Sequence, residues 1–140
     1  MSTDRIDEHG LQSIAEMERE HALEIRMVRD LQAALAAGDQ ATAEALFGQL
    51  EDFTNAHFLA EQLVMRLHAY PALAAHQEQH DRLVAELRDL RRSLDAGAPA
   101  DPLGAVARLE RWLYAHMESE DRALVDFLQQ PGTPRADRSF

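Results

Sequence analysis

HFLAEQLVMRLHAYPALAAHQEQH, residues His57 to His80, holds two pairs at a spacing of four: His57 with Glu61, and His76 with His80. On a helix that spacing puts both side chains on one face about one turn apart, close enough to reach a common metal ion. Between the pairs stands Tyr70-Pro71, a break that lets the chain reverse and lay the second pair against the first.

Outward from this stretch the chain reads as helices. Ser13 to Ala37 is expected to form the first. Ser13 and Glu16 have capping-box spacing, Gly38 lies just past the end, and the inward stripe is Ile14, Met17, His21, Ile25, Val28, Gln32 and Leu35. Asp39 caps a second helix to about Ala69, with Leu46, Phe47, Leu50, Phe53, His57, Glu61, Val64, Met65 and His68 on one side. Gly48 lies inside it at a cost of about 1 kcal/mol relative to alanine. Tyr70-Pro71 opens the third, which carries Leu73, His76, His80, Leu83, Leu87, Leu90 and Leu94 before Gly97. Asp101-Pro102 starts the fourth, with Val106, Leu109, Leu113, His116, Leu124 and Leu128 inward and its end before Pro131. The expected fold is all-α, an up-down-up-down antiparallel four-helix bundle over residues 13–130. Residues 1–12 read as a short N-terminal arm and 131–140 as a flexible tail. His9, in the arm, reads as solvated.

Composition narrows the function. The chain has no cysteine, which excludes disulfides and thiolate chemistry, and 25 acidic against 14 basic residues give a net charge of −11. Such a charge disfavours nucleic acid and anionic membrane surfaces as partners. With no apolar run near the roughly 20 residues of a membrane span, a soluble cytoplasmic protein is expected.

Depth along the helices links the polar residues. His21 lies about 26 Å before the turn at Gly38 and His57 about 28 Å after it. Glu61 is about 14 Å before Tyr70 and His80 about 15 Å after it; His80 precedes Gly97 by about 26 Å and His116 follows Asp101 by about 22 Å. All four helices thus deliver inward polar residues to one layer. That shared level outweighs the ordinary readings of His21 as a hydrogen-bonded core residue and Glu61 as a solvated one. Asp121 follows His116 by five residues, whereas periodicity alone selects Glu120; a local π-bulge would turn Asp121 inward.

The pattern His57-Phe58-x-x-Glu61, Tyr70-Pro71, His76-x-x-x-His80 and Trp112-Leu113-x-x-His116-x-x-x-x-Asp121 resembles the bacterial hemerythrins of the hemerythrin-like HHE cation-binding family, non-haem di-iron proteins that bind dioxygen. The resemblance covers about Glu18 to Asp121. It implies that His76, His80 and His116 bind one iron and His21 and His57 the other, and that Glu61 and Asp121 bridge the two. It also implies that Leu113 and Trp112 line the dioxygen pocket. Two departures stand out. Met17-Glu18-Arg19-Glu20 precedes the first histidine in place of an Ile-Asp-x-Gln type of sequence, and Gln62 stands where a second glutamate is common. A tryptophan-bearing amino-terminal arm is also missing.

Five histidines, two bridging carboxylates and a bridging oxide or hydroxide leave one open position of about twelve on two six-coordinate irons, and the unequal split places it on the His21/His57 side. Reversible dioxygen binding for storage, delivery or sensing follows from the resemblance. The alternative is a di-iron enzyme, an oxidase, peroxidase or nitric-oxide-handling catalyst. A ferritin-like oxidase ranks below both, since Glu18-x-x-His21 is the one Glu-x-x-His present. Phe53, Leu113, Met117, Met17 and Ile25 are candidates for a dry wall. Glu24, Glu118 and Glu120 read as solvated and His68 as partly exposed. Inward placement of Glu24, Thr54 or Tyr114 would favour turnover over reversible binding.

Overall fold

The computed structural model describes residues 2–97 and 100–130, with side chains from residue 14 onward. Among these residues the fold is an all-α four-helix bundle. The helices are α1 (Ser2–Ala36), α2 (Gln40–Leu67), α3 (Leu73–Asp95) and α4 (Pro102–His116), the last continued through a π-helical turn at Met117–Asp121 into α5 (Arg122–Gln129). Helix α1 packs on α2 and on α4, and α2 packs on α3. No helix among the described residues is long and apolar enough to cross a membrane.

The helix ends follow local chemistry. At the end of α1, Gly38 adopts φ 71°. Its N–H donates to Leu35 O at 3.1 Å, and that of Asp39 to Ala34 O at 3.0 Å, a Schellman closure. Asp39 then caps α2 by accepting from Thr42 N, and Asp101 caps α4 by accepting from Gly104 N with Pro102 in the first turn.

Two boundaries differ from expectation. Helix α1 begins at Ser2, not Ser13, so residues 2–12 are helical where an arm was expected. The acidic Asp4, Asp7 and Glu8 suit a helix N-terminus, and nothing but Gly10 interrupts helix propensity there. The side chain of His9 and the whole of 131–140 lie outside the described residues. Helix α3 starts at Leu73, not Pro71. Tyr70 N–H is used in closing α2 on Met65 O, so the chain reorients over Pro71 and Ala72 before α-helical bonding resumes.

Burial is layered along the bundle. One apolar cluster contains Ile25, Val28, Leu31, Phe47, Leu50, Phe58, Leu83, Leu87, Val106, Leu109 and Leu113. A second contains Ile14, Met17, Met65 and Leu124, with Tyr70 and Leu73 packed against it. The expected wall residues are therefore split: Ile25 and Leu113 belong to the first cluster with Met117 against it, and Met17 belongs to the second. A polar layer is left between.

On α1 the inward face keeps Ile14, Met17, Ile25 and Val28 of the expected stripe and is wider than it. Leu31 is fully buried, while Gln32 and Leu35 are half-buried. Glu24, read from sequence as solvated, is only 1% exposed. The buried positions are 14, 17, 24, 25, 28, 31 and 34, with His21 half-buried, so the stripe is wide enough to take in Glu24 beside the expected Ile25.

Ala69 closes α2 at φ 51°, the left-handed region that favours glycine. Ala69→Gly should therefore stabilise the fold by about 0.5–1 kcal/mol, read as a raised denaturant midpoint at unchanged slope.

Candidate metal centre

Each helix brings its donors to the polar layer by a simple local device. On α2 the four-residue step from His57 to Glu61 aligns both side chains, and on α3 the step from His76 to His80 does the same. His116 and Asp121 are five apart, and the π-helical turn between them brings both inward, 3% and 2% exposed. Ser119 helps to explain that turn. Its hydroxyl donates to Ala115 O at 2.7 Å, competing with backbone N–H groups for the acceptor. Glu120 points away, accepting from Gln79 Nε2 at 2.7 Å.

The structure brings His21, His57, Glu61, His76, His80, His116 and Asp121 together in two overlapping groups. All five histidines present Nε2. Glu61 Oε1 faces His76 at 3.4 Å and His80 at 3.0 Å, while Asp121 Oδ1 faces His76 at 2.9 Å and His116 at 3.1 Å. The other oxygens serve the other side: Glu61 Oε2 is 2.9 Å from His57 and 3.2 Å from His21, and Asp121 Oδ2 is 2.9 Å from His21. Each carboxylate thus spans a three-histidine half and a two-histidine half.

These atoms fit metal ions better than they fit one another. Glu61 Oε1, both Asp121 oxygens and Nε2 of His76, His80 and His116 are buried without a hydrogen-bond partner among the described residues, despite their short separations. Leaving such groups unpaired costs about 1–3 kcal/mol each. Donors at about 2.1 Å from one ion and at right angles to each other lie about 3.0 Å apart, which matches the observed spacing. Imidazole with carboxylate suits iron, with zinc or manganese as possible substitutes.

Further residues orient the imidazoles. His57 Nδ1 donates to Glu20 at 2.8 Å, and His116 Nδ1 donates to Gln79 Oε1 at 3.0 Å, leaving Nε2 free in both. The Gln62 amide lies 3.4 Å from His80 Nδ1. A half-turn of that amide presents its oxygen to the Nδ1–H that ligation through Nε2 requires. Phe58 stacks on His80 with ring centroids 3.7 Å apart, and Trp112 stacks on His116 at 5.2 Å. Trp112 therefore sits beside the three-histidine half. Glu20, Gln79 and Phe58 were not singled out from sequence for these contacts. The signal for Glu20 was weak, an acidic residue immediately before His21 in the sequence that departs from the family pattern.

Tyr114 turns outward and accepts from Arg29 Nη2 at 3.1 Å. Glu24 and Thr54 turn inward: Thr54 is fully buried, and its hydroxyl donates to Glu24 Oε2 at 2.5 Å. Burial pushes the Glu24 carboxyl above its ordinary range, even though Thr54, His57 and His21 pull the other way.

Without metal, protons balance the charge. Burial opposes a charged His21, but Asp121 and Glu61 outweigh it and raise its pKa to about 10. His57 and His76 are raised to about 9 in the same way, the first chiefly by Glu61 and the second by Asp121 and Glu61. Burial likewise opposes ionisation of Glu61 and Asp121, yet the imidazoles hold both well below the usual carboxylate range. Raised histidines stabilise a fold below their unfolded value of about 6.5, and that contribution is lost as pH climbs through the folded value. Chelated protein should therefore lose thermal stability between about pH 6.5 and 10. Metal-loaded protein, whose charge balance does not depend on those protons, should lose much less across the same series of melts.

Residues 12–128 match the hemerythrin HHE cation binding domain. The chain is 28% identical to a bacteriohemerythrin of Stenotrophomonas maltophilia over 111 residues, 79% of this chain and 71% of that one. It is 27% identical to a bacteriohemerythrin of Pseudomonas aeruginosa over 118 residues, 84% of this chain and 74% of the other. A bacteriohemerythrin of Methylococcus capsulatus is 27% identical over 103 residues, 74% of this chain and 79% of its own length. No solved structure matches significantly. With the helical bundle, the clustered histidines and carboxylates and a family match over most of its length, the chain belongs to the hemerythrin HHE cation-binding family.

Proposed function

We propose that this protein binds dioxygen reversibly at a di-iron centre, for storage, delivery or sensing. The observation that carries the reading is the unequal sharing of two carboxylates, three imidazoles on one side and two on the other. His76, His80 and His116 would hold one iron, His21 and His57 the other, with Glu61, Asp121 and an oxide or hydroxide as bridges. When bound, a pair of ferrous ions supplies two electrons and an open position for a diatomic ligand.

The chain's own residues supply the surroundings. Leu113, Phe58 and Ile25 bound the polar layer on one side and Met17 and Met65 on the other, which excludes the water that would hydrate a departing anion. Leu113 is assigned to the ligand pocket on this reading, whereas Trp112, expected to line it too, stacks on His116 of the three-histidine half, away from the open position. His21 keeps 16% of its side chain exposed, the least buried of the five histidines, so the two-histidine half is the nearer to solvent. The relatives' name, bacteriohemerythrin, supports this reading, and the cytoplasm is the proposed compartment.

A second reading is favoured by one specific observation. The buried Glu24–Thr54 pair places an ionisable group beside the two-histidine half. Such a group suits a di-iron enzyme that consumes dioxygen, peroxide or nitric oxide.

Protein loaded with iron anaerobically should contain two irons per chain, and His76→Ala or His116→Ala should lower that number; an unchanged iron content in both variants would overturn the assignment. On admission of air to the reduced protein, an optical band that vanishes under vacuum is expected for reversible binding. Rapid autoxidation with multiple turnovers would instead establish the enzymatic reading.

A further inference from the structure

The inward-facing polar residues form two rungs between α1 and α2. The first joins His21 and His57, whose ring centroids are 5.0 Å apart. Three residues further along α1 stands Glu24, and three residues earlier on the antiparallel α2 stands Thr54. Both steps run in the same direction along the bundle, so Glu24 and Thr54 make a second rung about 5 Å from the first. Glu24 is 1% exposed, Thr54 is fully buried, and the bond between them is 2.5 Å.

This rung is not explained by packing. A glutamate buried against an apolar cluster costs several kcal/mol if ionised and unpaired, and a threonine hydroxyl supplies one neutral hydrogen bond. Leucine and valine would fill the space without that cost. Nor does Glu24 belong to the overlapping groups of metal donors, so its burial serves no direct ligation in this structure.

We propose that Glu24, with Thr54 as its positioning residue, stores a proton beside the two-histidine half of the centre. The inference rests on the di-iron reading for its use, but not for its detection. In the step it supports, the O–H bond of the Glu24 carboxylic acid breaks and the proton passes to an anionic ligand exchanging at that half. The electron pair stays on Glu24, which keeps the Thr54 hydroxyl as donor. Water at the exposed edge of His21 returns the proton. The charged groups around Glu24 are His21 on its own helix and His57 and Glu61 from α2. Glu20 is engaged by His57 Nδ1, while Glu110 and Tyr114 from α4 are engaged by Arg29 at the surface.

Two measurements test this. Infrared difference spectra of wild-type and Glu24→Gln protein at neutral pH, both without metal, should show a protonated-carboxyl band in the wild type that is absent from the variant. Thr54→Val should shift that band without removing it. In iron-loaded ferric protein, azide affinity should fall with rising pH, and Glu24→Gln should reduce the fall by about tenfold over the titration of the carboxyl while iron content stays at the wild-type level. Absence of the band, or an azide pH profile unchanged by Glu24→Gln, would overturn the proposal and leave the rung a structural tie. If the variant fails to fold, the band shift in Thr54→Val decides. Failure of the wild type to take up iron would sink the di-iron reading instead, with the infrared result still reporting on Glu24.

Discussion

Two carboxylates with almost no access to water lie at the centre of this bundle, and their charge must be compensated from within. Glu61 and Asp121 are 1% and 2% exposed, and each oxygen that faces the layer meets one or more imidazole nitrogens. Buried anions of this kind are strongly destabilising unless cations neutralise them. Protonated histidines can do so in the metal-free chain, and metal ions do so without holding protons. The four helices are thus tied by a shared electrostatic requirement as well as by apolar contact.

The apolar clusters on either side of the layer make that requirement strict. They keep the carboxylates dry, and low polarity strengthens every charge interaction between them. Stacked rings limit how far the imidazoles can swing: Phe58 lies on His80, Trp112 on His116 and Phe53 on His57. Hydrogen bonds from Nδ1 to Glu20 and Gln79 fix the tautomer that leaves Nε2 available. A site so restrained is organised before any ligand arrives, and little reorganisation is left for binding to drive.

Asymmetry between the halves gives the centre its functional direction. The three-histidine half is the more deeply buried, whereas the two-histidine half has fewer donors, some exposure at His21 and the Glu24–Thr54 rung beside it. The proposed ligand exchange and the proposed proton store both fall on that side. The proposed holder of gas and the proposed reactive site differ in what they ask of one carboxyl group there, that of Glu24.

Much of this was legible in the chain itself. Alternating steps of three and four define the helices, turn residues separate them, and the depths of His21, His57, Glu61, His80 and His116 agree because helical rise is constant. The resemblance carried the assignment of Asp121 over Glu120. Other features depended on neighbours far away in sequence. Glu24 was read as solvated by residue type, and only the packing of α1 against α2, which buries position 24 beside Ile25, turns it inward to meet Thr54. Likewise Glu20 becomes the partner of His57 because two antiparallel helices place them side by side, and Trp112 comes to rest on His116 through side-chain geometry. Local sequence determines which faces are apolar and which donors share a level; the exact rotation of one helix against another is a collective result of packing, and it alone decided which polar group became buried and which partner it found.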